Sequence, residues 1–268
     1  MNDNLFGKSR PELVDLVVSL GHPPFHARQL FAWVYAQGIT EFSAMSNLPR
    51  ALRAALSRGC SILHPRVEVR QTARDGTVKV LLRLSDGLGV ESGFIPERSR
   101  TTLCISSQIG CALGCSFCLT AKMGRVRDLS AGEIAGQVAV LASSHRLGPN
   151  TYNLVFMGMG EPLLNYDSVL SAFRLLTDPE GFGISWKRIT LSTAGVVPGI
   201  RRLAGESHRP RLAVSLSATT DALRNRLMPI NRAYPLRDLF QALREFPLRP
   251  RERVTLEYVL LKGINDSP

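Results

Sequence analysis

The sequence predicts an α/β fold built in three successive parts. Residues 1–62 repeat apolar side chains at helical spacing, residues 63–100 alternate apolar and polar positions as antiparallel strands do, and from residue 101 onward strand and helix patterns take turns. That last pattern implies a parallel sheet joined by right-handed helical crossovers. The expected units are a helical domain over 1–62, a small antiparallel β linker over 63–100 and an α/β domain over 101–268.

Taken in order, Ser9 and Glu12 form a capping box ahead of Leu13, Leu16, Val17 and Leu20, which share one helix face, with Gly21 as a stop. A second helix is expected from Phe25 to Ala36 before Gly38, and a third from Pro49 to Ser57 before Gly59. Val67 and Val69, then Val78, Val80, Leu82 and Leu84, alternate as strands, punctuated by the turn signals Asp75-Gly76 and Asp86-Gly87. The following strand, Val90 to Pro96, places the carboxylate of Glu91 in mostly apolar company. Beyond it, strands are expected near 101–106, 152–157, 188–192, 211–215 and 253–260, and helices near 131–146, 166–176, 197–204, 221–227 and 235–245. Ser130 and Glu133 offer a second capping box.

Lys and Arg number 33 against 22 Asp and Glu, a net charge of +11. The excess is either a solvated basic surface or the footprint of a polyanionic partner. Arginines concentrate late in the chain, including those at 201, 202, 209, 211, 224, 226, 232, 244, 249, 251 and 253, and guanidinium forks bind phosphate bidentately. Aromatic residues make up only 7%, too few for a broad base-stacking platform. No apolar run approaches the roughly twenty residues of a membrane span, so a soluble, cytoplasmic protein is expected.

The densest chemistry is Cys111-Ala-Leu-Gly-Cys115-Ser-Phe-Cys118, three thiols in one short loop. Three ligands cannot close a four-ligand site, but they can hold an iron–sulfur cluster by three corners and leave the fourth iron open to a small molecule. A disulfide scaffold fits poorly with five cysteines in 268 residues. Structural zinc is the remaining alternative, yet the second ligand pair is missing, since His145 and His208 stand alone.

CxxxCxxC at the end of a strand, with Phe117 before the last cysteine, resembles the signature of the radical S-adenosylmethionine (SAM) enzymes. The segments Leu103 to Cys118, Gly158-Met-Gly-Glu-Pro162, Leu191-Ser-Thr-Ala-Gly-Val-Val-Pro198 and Met228-Pro-Ile-Asn231 narrow the resemblance to the RNA adenine methyltransferases of that class, over essentially the whole chain. The resemblance implies a partial radical-SAM (βα)6-type barrel, about five units of it present, and an N-terminal domain that touches RNA. It implies that Cys111, Cys115 and Cys118 hold a [4Fe–4S] cluster whose fourth iron is chelated by SAM. Gly160, Glu161, Ser192, Ser215, Leu216 and Ser217 correspond to SAM contacts, although position 217 is more often His or Asn. The glycines there also suit an ordinary tight turn. Glu91 corresponds to the general base, with an exposed strand residue as the alternative, and Cys104 to a cysteine of a transient product-releasing disulfide, with a small buried hydrophobe as the alternative. Cys60 corresponds to nothing in the family and reads as structural.

The implied activity is methylation of C2 of an adenosine in 23S rRNA and in tRNA, with a one-electron reductant such as flavodoxin and the enzyme acting as a monomer. A C8-directed branch of the same family is the alternative. The family's carrier cysteine lies on a segment beyond a sixth strand, which this stretch does not include. The expectation is therefore an incomplete copy that forms no methyladenosine by itself, or a non-catalytic iron–sulfur RNA-binding protein.

Replacing any one of Cys111, Cys115 or Cys118 by alanine is expected to abolish cluster formation in anaerobically reconstituted protein, read as loss of iron and of visible absorbance. Cys60→Ala should retain it. Stoichiometric zinc without iron would overturn the assignment.

Overall fold

Short-range signals build the N-terminal unit where expected. In the computed structural model, which describes residues 3–266, strand β1 (Asp3–Asn4) precedes helix α1 (Arg10–Ser19), whose Ser9/Glu12 capping box is formed. Helix α2 (Phe25–Phe31) widens into a π-helical turn over Ala32–Ala36, completing the expected span. Helix α3 (Arg50–Gly59) leads into β2 (Cys60–Ser61), which pairs in parallel with β1.

Then come β3 (Arg66–Thr72), β4 (Val78–Arg83), β5 (Gly89–Pro96) and β6 (Thr101–Cys104). A ribbon of β7 (Gln108–Gly110) and β8 (Arg125–Asp128) encloses the short helix α4 (Leu119–Lys122). The chain continues through α5 (Ala131–Ser144), β9 (Asn153–Phe156), α6 (Tyr166–Thr177), β10 (Ile189–Thr193), α7 (Val197–Ala204), β11 (Arg211–Ser215), α8 (Asp221–Leu227), α9 (Leu236–Glu245) and β12 (Thr255–Glu257). Strands β6, β9, β10, β11 and β12 run parallel, which makes five barrel strands among the described residues. Among the described residues no helix is long and apolar enough to cross a membrane.

The antiparallel strands are not a sheet of their own. β5 pairs with β6, so one eight-stranded sheet runs in the order β12-β11-β10-β9-β6-β5-β4-β3. At its edge, Val67 and Val69 are 45% and 44% exposed, because β3 has no outer neighbour in that order and its pairing with β4 slips between these two residues.

The two faces of the parallel strands differ. Leu103, Leu154, Phe156, Ile189, Leu191, Leu212 and Val214 are fully buried; each such side chain contributes about 1.5–3 kcal/mol relative to exposure. Residues of the opposite parity, Thr102, Cys104, Asn153, Thr190, Ser192, Arg211 and Ser215, form a largely polar inner face. A parallel sheet covered on both faces would be apolar throughout, so this second face is built to meet something polar.

The N-terminal helices share one apolar core with the barrel, running from Leu5 to Phe246. The segment before α1 crosses the first turn of α5 so closely that a Cβ on Gly132 would lie 2.3 Å from the Phe6 carbonyl oxygen. Tyr35 clamps this crossing, its hydroxyl accepting from the Gly7 N–H at 2.8 Å and donating to the Lys8 carbonyl at 2.8 Å. Arg10 adds an ion pair to Asp178 and Glu180 beyond α6.

Gly132→Ala is expected to destabilise the protein by about 1–3 kcal/mol, since backbone meets backbone and neither side can yield. Gly59→Ala, in a helix with open space around it, should be neutral or slightly stabilising. Thermal unfolding of the two variants checks the contrast.

Candidate active site

The cysteine loop is closed at its neck by the β7–β8 ribbon. Gly110 has φ +75°, and a Cβ there would fall 1.7 Å from the Gly124 carbonyl oxygen, so only glycine permits the crossing. Next to it the Cys111 N–H donates to that same carbonyl at 3.0 Å. Gly114, at φ +68°, turns the chain back between Cys111 and Cys115, and the Cys118 N–H donates to the Cys115 carbonyl at 3.1 Å. On its far side the loop leans on α8: the Ser116 N–H donates to the Leu227 carbonyl at 2.9 Å, and Cys115 and Phe117 pack on Ala218, Leu227 and Met228.

The three thiols are free and mostly shielded from water. Burial pushes the Cys115 thiol up to about 11, and the charges of Cys111, Cys118 and Glu161 push the same way. Cys111 is raised by burial too, with Glu161 and Cys118 contributing. The three cysteines and one carboxylate therefore lie within electrostatic reach of each other. Among the described residues no three His, Cys, Asp or Glu side chains converge tightly enough for one metal ion.

Glu161 is 3% exposed, and burial raises its proton affinity against the pull of backbone amides. It accepts from the Leu163 N–H at 3.0 Å and the Ala194 N–H at 2.7 Å, and no lysine or arginine pairs with it among the described residues. A buried carboxylate without a cation is a ready partner for an ammonium group. Packing alone requires both turn glycines. A Cβ on Gly158 would meet Ser106 Oγ at 2.5 Å, and one on Gly160, at φ +97°, would meet Gln108 Cβ at 2.5 Å.

Ser217 is 1% exposed with φ +52°, and its hydroxyl is buried with no hydrogen-bond partner. An orphaned hydroxyl at a strand end is a site for an incoming polar group. Asn265, which the sequence reading passed over, donates to the Ser217 carbonyl at 2.8 Å and holds this turn in place. Leu216, 9% exposed, donates its N–H to the Glu257 carbonyl at 2.8 Å. Glu257 also escaped notice; its carboxylate accepts from Ser192 Oγ at 2.5 Å and from Ser215 Oγ at 3.4 Å, tying the two serines together.

Cys104 lies opposite Gly93 in the β5–β6 pairing, on the same face of β5 as Glu91 two residues away. A Cβ on Gly93 would meet the Cys104 Cβ at 3.6 Å, an ordinary contact. Burial pushes the Cys104 thiol up to about 11, with the charge of Glu257 adding and the Met157 amide opposing. Glu91 is not in apolar surroundings. Its side chain is 47% exposed and pairs with Lys79 at 3.0 Å, because β5 presents this position to the open face.

Two of the eleven arginines read as phosphate forks are interior. Arg224 has no exposed surface and donates to the carbonyls of Ala194, Ser215 and Leu216 and to Asn231 Oδ1. Arg209, 2% exposed, pairs with Glu252 at 2.6 Å beneath Phe246. Neither can reach a partner in solution.

Comparison with known proteins agrees with this architecture. Residues 3–62 match the family described as the ribosomal RNA large subunit methyltransferase N-terminal domain, and residues 105–268 match the radical SAM superfamily. The chain is 50% identical over 258 residues to a dual-specificity RNA methyltransferase RlmN from Syntrophobacter fumaroxidans, covering 96% of this chain and 75% of the relative. It is 48% identical to the protein of that name from Geobacter sulfurreducens, covering 97% and 71%. The crystal structure of a radical SAM methyltransferase from Sphaerobacter thermophilus superposes with a TM-score of 0.89 at 41% identity, over 99% of this chain and 78% of that one.

With its thiol near 11, Cys104 is almost entirely protonated at neutral pH. Its alkylation by iodoacetamide in the folded protein should be slow and rise about tenfold per pH unit from pH 7 to 10, tracking the thiolate. Peptide mass spectrometry reads the rate; a plateau below pH 9 would contradict the burial assigned to it.

Proposed function

The chain belongs to the RlmN family of radical SAM RNA methyltransferases, and from that premise we propose that it methylates C2 of an adenosine in 23S rRNA and in tRNA, acting in the cytoplasm with a flavodoxin-type one-electron donor. The observation that carries this reading is the gathering of three loop thiols and a cation-free buried carboxylate at the C-terminal ends of the parallel strands, where barrel folds carry their chemistry. Cys111, Cys115 and Cys118 would hold a [4Fe–4S] cluster. With SAM, such a cluster supplies the one-electron reduction that turns a sulfonium into a carbon radical, chemistry required because C2 of adenine is not nucleophilic.

The protein's own part is to bind, orient and move a proton. Glu161 accepts the ammonium of SAM and the Ser217 hydroxyl meets one of its polar groups, so that a buried charge and a buried orphan are satisfied by one ligand. Ser192 and Ser215, linked through Glu257, line the same strand ends and address the remaining hydroxyls. Glu91 takes the proton from the adenine carbon. Its side chain is half-exposed and ion-paired to Lys79 at 3.0 Å, on the face of β5 that Cys104 shares, where a substrate base can reach it. Residues 1–62 serve as the accessory unit that steadies the RNA.

Deleting the encoding gene in its host is expected to remove 2-methyladenosine from both 23S rRNA and tRNA, measured by mass spectrometry of nucleosides. A wild-type copy should restore it, and a Cys115→Ala copy should not. Persistence of the modified nucleoside in the deletion strain, or the appearance of 8-methyladenosine on complementation, would refute the C2 reading.

A further inference from the structure

The polar face of the barrel sheet carries a second feature at the opposite end from the cysteines. A groove of about 370 Å³ opens at the N-terminal ends of β6, β9, β10 and β11, lined by Arg100, Lys187, Arg188 and Arg211 together with Thr102 and Asn153. Its single carboxylate, Glu97, already pairs with Arg100. Lys187, Arg188 and Arg211 have no acidic partner among the described residues. Arg188 touches only the neutral Asn153 Oδ1, at 3.3 Å. Three cations thus face one cavity without compensation, two of them half-buried, an arrangement that repels itself until an anion enters.

We propose that this groove is a track for the phosphates of the RNA strand. The donor set is the one that phosphodiesters select: guanidinium forks, an ammonium, a threonine hydroxyl and an amide. The register fixes its relation to the active site. Arg211 and Ser215 belong to one strand and one face, four residues or about 13 Å apart, and Thr102 is about 7 Å from Cys104 on β6. A strand anchored here runs along the same wet face that presents Cys104, Ser192 and Ser215. Of the eleven late arginines, Arg211 alone lines this groove; Arg100, Lys187 and Arg188 join it from other parts of the chain. The proposal rests on the reading that the substrate is RNA and adds where its backbone is held.

The test compares the reconstituted wild-type protein with Lys187→Gln/Arg188→Gln/Arg211→Gln, using an unmodified large-subunit rRNA transcript over a range of salt. The triple variant should keep its cluster absorbance, which shows that the fold is intact, and bind the RNA at least about tenfold more weakly. Its plot of log affinity against log salt should be shallower by about 2, from three lost contacts at roughly 0.7 each. Arg237→Gln, exposed on α9, should bind as the wild type does. Unchanged affinity and slope in the triple variant, beside a wild type that binds RNA, overturns the groove and leaves the proposed function standing. Loss of affinity for an acidic peptide with RNA affinity unchanged overturns it as well. A wild-type protein that binds no RNA removes both.

Discussion

A single guanidinium with no exposed surface, that of Arg224, holds the strand ends together. Withdrawing such a group from water costs several kcal/mol unless its donors are met, and here four of its five N–H groups are met by oxygens from three segments. The carbonyls of Ala194, Ser215 and Leu216 must therefore converge on one point. Ala194 carries the constraint onward, because its N–H donates to Glu161 at 2.7 Å while its carbonyl accepts from Arg224 at 2.7 Å. Asn231 carries it the other way, fixed by Asp221 and Asn225 at 2.8 Å each, beside the α8 terminus on which the cysteine loop rests. Lysine could not replace this arginine, since a point charge lacks the planar fork that reaches four acceptors at once.

Local chemistry was legible in the sequence, and burial was not. Both capping boxes, most helix spans and the first four parallel strands lie almost where the residue pattern puts them, while the fifth strand, expected near 253–260, is confined to Thr255–Glu257. The cysteine spacing and the flanking words were enough to recognise the family, because the loop is a continuous segment. Arg224 and Arg209 looked like the other late arginines because composition does not say which side chains the fold will cover. Glu91 was read against its chain neighbours, whereas its company is Lys79 on the next strand. Glu257 and Asn265 left no signal at all. Their roles arise from contacts with Ser192, Ser215 and Ser217, 42 to 65 residues away in the chain.

The contrast between the two sheet faces gives the polar residues their meaning. Seven fully buried apolar side chains anchor one face of β6, β9, β10 and β11 to the helices, which fixes the parity of those strands. Once parity is fixed, the alternate positions must face the open side together, whatever their separation in sequence. Cys104, Thr190, Ser192, Arg211 and Ser215 are neighbours for this reason alone. The eight-stranded continuity matters in the same way, since it is the β5–β6 pairing that brings Glu91 onto the face shared by Cys104.

Charge is distributed with opposite signs at different depths. The chain as a whole is at +11, yet the pocket behind the cysteine loop gathers three thiols and Glu161, with Arg224 as the cation acting on Cys115. Burial holds the Cys115 thiol near 11, so in the proposed reading its thiolate forms as the cluster binds, which couples cluster assembly to the order of the loop. In the proposed reading the filled pocket is then an anionic hollow in a cationic body. A sulfonium cofactor is drawn to the interior and a polyanion to the exterior, so the two ligands do not compete for the same charges. The protein can therefore hold a positively charged cofactor close to a negatively charged substrate without either displacing the other.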